Sequence, residues 1–123
     1  MKLKSKMNQS VTNEDGAILN FAENEVFEFD YTKDNDHYFG WWYNSYFILS
    51  TENFEVATEK DEFLWKLRKY LEFVADNDLM DADRKLDQIY GFCQGCIFSH
   101  EEWFDEIAEL NGEYRDKLLY GNN

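Results

Sequence analysis

Proline is absent from the 123 residues, and cysteine, histidine and basic side chains are scarce. The missing proline removes the strongest helix breaker, so uninterrupted helical periods are free to run. Two cysteines are too few for a disulfide scaffold, and the basic start, Met1 to Lys6, is not followed by the apolar stretch of an export signal. A reducing, cytoplasmic setting is the expectation. No apolar run approaches the roughly 18 residues of a membrane-spanning helix. Bases number 12 against 26 acids, for a net charge of −14. That shortage argues against direct contact with nucleic acid or an anionic membrane, both of which need lysine and arginine. No phosphate-cradling glycine loop, activated-nucleophile motif or H-E-x-x-H is present, and no two carboxylates stand out as a catalytic pair. The chain therefore reads as a non-enzyme with no cofactor.

What the chain does have is aromatic side chains. Phe, Tyr and Trp make up 19 % of it, within an apolar fraction of 44 %. Disordered acidic chains are poor in such residues, so a folded core is expected despite the self-repulsion. The length is that of one domain. Residues 1–13 carry three lysines without periodicity and read as a flexible arm. Residues 14–123 read as a single acidic domain.

Within that domain the hydrophobic period changes once. Val26 to Tyr31 alternates, with Phe27, Phe29 and Tyr31 on one side and Glu28 and Asp30 on the other. Period two marks a half-buried strand with an acidic outer face. Lys33 to Asp36 reads as a loop. His37 to Ser50 is apolar enough for strand or helix, but Gly40 and Asn44-Ser45 favour strands with a turn between them. Phe54-Glu55-Val56 is expected to pair with Tyr46-Phe47-Ile48. After Thr58 the spacing becomes helical. Phe63, Leu67, Tyr70, Leu71 and Val74 form one stripe, with Thr58 and Asp61 placed as a capping arrangement. A second helix is expected from about Asp81, carrying Leu86, Ile89, Tyr90, Cys93 and Ile97. Ser99-His100-Glu101-Glu102 reads as a capping box opening a third, with Trp103, Ile107, Leu110, Tyr114 and Leu118. The fold class is therefore α+β: N-terminal antiparallel strands, then three α-helices, the last two a packed pair.

The acid is unevenly spread. Residues 14–36 hold eight acids and one lysine, and residues 70–113 hold twelve acids and two bases, whereas residues 37–69 are nearly neutral. Asp76, Asp78, Asp81 and Asp83 cluster before and at the start of the second helix. On the third, Glu102, Asp105, Glu106, Glu109 and Glu113 recur at three- and four-residue steps opposite the apolar stripe. Like charges so spaced destabilise a helix by a few tenths of a kcal/mol per pair, roughly. A helix seeking stability alone would interleave lysines, and none lies between Lys85 and Arg115. Successive carboxylates rising about 5 Å approximate a nucleic-acid strand, with roughly one charge per 3.4 Å, so this face suits a basic groove. The ordinary alternative is a solvated face serving solubility.

Three other features carry chemistry. Trp41-Trp42-Tyr43 with Tyr46-Phe47 is the densest aromatic patch. Core packing is its usual role, and Trp41 and Trp42 are the candidate anchors if it meets a partner. Cys93, Cys96 and His100 have spacing compatible with three zinc ligands, but a structural site needs four, and Cys93 lies on the apolar stripe. Buried thiols and no metal are the expectation. Gly95 costs its helix about 1 kcal/mol relative to Ala, and close approach of a neighbouring helix or ring is the expected reason.

A small, proline-free, aromatic-rich and acidic domain resembles the anti-defence inhibitors of bacteriophages, the anti-CRISPR and anti-restriction proteins, several of which mimic DNA. Ile89 to Phe98, followed by Ser99-His100-Glu101-Glu102, is similar to a glycine- and glutamine-containing helix pair of small phage proteins. The resemblance implies an inhibitor of a nucleic-acid-binding host defence enzyme, bound protein to protein through an acidic, DNA-mimicking surface, in the host bacterial cytoplasm. It transfers no functional residue. The alternative from the residues themselves is an adaptor or regulatory protein docking through the aromatic patch; a homo-oligomer stays open in either case.

Overall fold

A computed structural model describes residues 1–121. Among these residues eight short strands precede three α-helices, as the change of period predicts. The chain divides into two compact units, residues 1–65 and 66–123. Each has its own architecture.

The first unit contains three antiparallel sheets. β1 (Lys2–Ser5) lies between β4 (Val26–Glu28) and β8 (Phe54–Val56), β2 (Gln9–Thr12) pairs with β3 (Ile18–Phe21), and β5 (Asp30–Asp34), β6 (His37–Trp42) and β7 (Ser45–Ser50) form a meander. The expected flexible arm thus holds two strands, β1 at the centre of one sheet and β2 in another. Leu3 and Ser5 are fully buried, and Lys2 and Lys4 alternate with them. Lys4 bonds Asp61 at 3.0 Å and Glu55 at 3.1 Å, and Lys2 bonds Glu62. The arm reads as structureless because lysine occupies the outward positions of a four-residue strand, too short for its alternation to register.

Two further expectations are corrected. Val26 to Tyr31 is not one strand: β4 ends at Glu28 and β5 begins at Asp30, the two pairing with β1 and β6. The alternation survives the break, with Phe27 and Phe29 buried and Glu28 and Asp30 exposed. β8 pairs with β1 through Leu3↔Val56 and Ser5↔Phe54, not with β7. β7 instead pairs with β6 across the turn at Tyr43-Asn44. Leu3, Phe21, Phe27, Phe29, Tyr38, Phe47, Leu49 and Phe54 make the core, in which edge-on rings such as Phe21–Phe54, centroids 5.1 Å apart, are frequent.

α1 (Glu59–Ala75) runs through the boundary between the units. Its start is a true capping box. The Thr58 amide donates to Asp61 Oδ2 at 2.9 Å, and the Asp61 amide donates to Thr58 Oγ1 at 3.1 Å.

The second unit packs α2 (Ala82–Ser99) against α3 (Phe104–Tyr120). Leu67, Leu71, Val74, Ile89, Cys93, Ile107, Leu110 and Tyr114 are its buried residues of any size. The Tyr114 hydroxyl donates to Glu72 at 3.0 Å, and the Tyr70 and Phe92 rings stack at 4.1 Å. Ser99-His100-Glu101-Glu102 is not a capping box. α2 continues through Ser99 and is capped by His100, a 3-10 turn takes Glu101–Trp103, and α3 starts at Phe104 without a side-chain cap. Turning the chain back onto α2 uses the residues that a cap would have needed. Gly95 also departs from expectation: a Cβ built there, or at Gly91, meets nothing within 4 Å.

Candidate interaction surfaces

α3 buries Ile107, Leu110 and Tyr114 and turns Asp105, Glu109 and Glu113 outward on successive turns, about 6 Å apart along the axis. Glu102, on the preceding 3-10 turn, is exposed beside them. The row is not uniform. Glu113 accepts from Arg68 at 3.0 Å, Glu102 lies 3.6 Å from His100 Nδ1, and Glu106 is half-buried and engaged. Asp105 and Glu109 have no ion pair among the described residues. They are the uncompensated centre of the face.

The earlier acids divide by role. Asp81 is the N-cap of α2 and accepts from the Arg84 amide at 2.9 Å. Asp83 sits in the first turn, where the helix dipole favours a carboxylate. Asp76 and Asp78 are exposed between α1 and α2, without ion pairs among the described residues. Because α2 spans 18 residues, or about 27 Å, Asp81 and Asp83 lie a helix length from Glu102.

Trp41 and Trp42 part company. Alternation along β6 turns Trp42 toward the core, 5.7 Å from the Phe27 ring, and leaves Trp41 57 % exposed on the other face. The register completes that outer face in three cross-strand rows: Asp30–Trp41–Tyr46, Thr32–Phe39–Ile48 and Asp34–His37–Ser50. Trp41 and Tyr46 meet edge to face at 5.3 Å. Gly40 lets β5 and β6 lie close, since a Cβ there would stand 2.2 Å from the Asp30 carbonyl oxygen. The split between Trp41 and Trp42 follows from sequence once β6 is a strand, because neighbours on a strand face opposite ways.

Cys93 is fully buried, and burial pushes its thiol up to about 11, with a smaller contribution from Cys96. Burial raises the Cys96 thiol too. His100 stacks on Trp103 at 4.5 Å. Among the described residues no group of three His, Cys, Asp or Glu is placed to hold a metal ion. Cys93 belongs to the packing of the helical unit, and Cys96 is half-buried. Among the same residues no helix is long and apolar enough to cross a membrane.

No protein-family model, curated protein or solved structure matches the chain.

Proposed function

We propose that this protein is an inhibitor of a nucleic-acid-binding host defence enzyme, of phage or mobile-element origin, acting by protein–protein binding. The carboxylates of α3 and its preceding turn occupy the basic groove where the enzyme takes nucleic acid. The observation that carries this reading is that Asp105 and Glu109 stand exposed and uncompensated beside Glu102, on a helix face without an interleaved lysine. The helix dipole favours Asp105 in the first turn of α3, but the like charges repel one another along the face, and a cationic surface meeting it would relieve that repulsion. Asp76, Asp78 and Asp83 add to the surrounding negative field and steer association. Asp81 and Glu113 serve mainly the fold.

Capture from a bacterial lysate at low and high salt tests this reading. The expected catch is a basic nucleic-acid-binding protein whose retention falls by about tenfold or more as salt rises. The triple variant Glu102→Lys, Asp105→Lys, Glu109→Lys should fold, because none of the three is buried, and should no longer bind or inhibit. Normal inhibition by that variant sinks the proposal.

A further inference from the structure

The outer face of the β5–β6–β7 meander plays no part in that reading, and its chemistry points to a definite occupant. Nine side chains form it, in the three rows described above. Two are carboxylates, Asp30 and Asp34, and none is lysine or arginine. Lys33 lies between them in sequence, so alternation sends it to the opposite face. Neither carboxylate has an ion pair among the described residues. Between them the surface is apolar: Trp41 is 57 % exposed, Tyr46 41 % and Ile48 46 %, with Phe39 half-buried. A solvated sheet face has no need of four large apolar side chains, and a core-facing one has no need of two unpaired carboxylates.

We propose that this face docks an extended segment of a partner protein carrying basic, apolar and basic side chains at alternate positions. Asp30 and Asp34 are four residues apart on one strand, so their carboxylates stand about 13 Å from each other. An extended segment has the same period of two, and its residues i, i+2 and i+4 span that distance. The first basic side chain meets Asp30 and the edge-to-face Trp41–Tyr46 pair, which adds a cation–π contact to the charge. The apolar side chain in the middle meets Phe39 and Ile48. The second basic side chain meets Asp34. Arginine fits best, since its guanidinium stacks on an aromatic ring while binding a carboxylate. The proposal lies wholly within residues 1–65 and does not depend on the carboxylates of α3.

The test is an NMR titration of the full chain with the capped peptide Gly-Arg-Ser-Leu-Ser-Arg-Gly. A second peptide, with citrulline for both arginines, keeps the shape and removes the charge. Saturable shifts of the Trp41 indole N–H and of the Phe39 and Ile48 amides are expected with the first, and binding at least about tenfold weaker with the second. Trp41→Ala should weaken the arginine peptide about tenfold and Asp30→Asn about fivefold, both with unchanged spectral dispersion. Equal binding of the citrulline peptide overturns the proposal, because the face would then take apolar segments without regard to charge. So does binding that survives Trp41→Ala but disappears in the α3 triple variant, which would place the peptide on the helix. Concentration-dependent shifts on this face without peptide, removed by Trp41→Ala, would make the occupant a second copy and overturn it equally. An absence of saturable shifts ends it outright.

Discussion

The two units hold the same number of acids, thirteen each, and use them differently. In residues 1–65, Glu28, Glu55, Asp61 and Glu62 all receive the two lysines of β1, across 26 or more positions of chain. In residues 66–123, Arg68–Glu113 spans a comparable separation, whereas Lys69–Glu72, His100–Glu102 and Arg115–Asp116 join near neighbours. Those four carboxylates of the first unit therefore join strands to one another and to the start of α1, whereas its Asp30 and Asp34, like Asp105 and Glu109 in the second, are left to solvent. Net charge alone says little about which acids bind a partner. What decides it is whether a base already holds them.

Glycine divides the units in the same way. Gly40 is where the sheet unit has no room, and Gly95 is where the helical unit has room to spare. Gly40→Ala should have the largest effect on stability. The new Cβ would stand 2.2 Å from the Asp30 carbonyl oxygen and 3.0 Å from the Tyr31 Cα, both backbone, so β5 and β6 must part. A destabilisation of about 3 kcal/mol or more is expected from such overpacking, read as a lower urea midpoint. Loss of the β5–β6 pairing would also remove the face formed by Trp41 and Tyr46. An unchanged midpoint would mean that the strands are not so closely paired.

The links between β1 and α1 give the next effect, through pH. Burial opposes ionisation of Asp61, but bonds from the Thr58 amide, the Lys4 ammonium and the Thr58 hydroxyl outweigh it and hold the carboxyl below its usual value. A carboxyl depressed in the folded state binds its proton more readily when unfolded. Its stabilisation is therefore complete above the unfolded value and is lost as pH falls through the folded one. Asp61→Asn should cost about 1 kcal/mol at neutral pH, because the amide oxygen can still accept from the Thr58 amide but the charge facing Lys4 is lost. At acid pH the difference from the parent chain should shrink toward zero. A gap that stays constant from neutral pH to below the carboxylate range would show that the charge of Asp61 contributes nothing.

The contrast also explains what is legible in the sequence. Period two and period 3.6 are both readable, because each records which side of an element meets the core; hence the α+β order, the β6–β7 turn and the stripe of Ile107, Leu110 and Tyr114. Thr58 and Asp61 are readable as a cap because a capping box is local in sequence. The partners of β1 are not. Leu3 meets Phe27 on one side and Val56 on the other, and no local spacing encodes pairing over such distances. Ser99 to Glu102 misleads for the opposite reason: a local motif is present, but the reversal of chain between α2 and α3 claims its residues. On the surface, spacing locates the acidic row, but it does not reveal Arg68 beside Glu113 or His100 beside Glu102.

The last effect belongs to Gly95 and separates two reasons for a glycine within a helix or strand. Glycine in a helix interior costs about 1 kcal/mol against alanine, because the unfolded chain has more conformations to lose. At Gly40 the comparable cost in a strand is offset by a strand approach that no other residue permits. At Gly95 nothing lies within 4 Å of where a Cβ would stand. Gly95→Ala should therefore stabilise the isolated protein by about 1 kcal/mol, read as a higher urea midpoint with an unchanged slope. Destabilisation would mean that a neighbour crosses α2 at that point in solution. If the variant is more stable yet inhibits less, the glycine keeps the helix open for the partner, and α2 would join α3 in the binding surface.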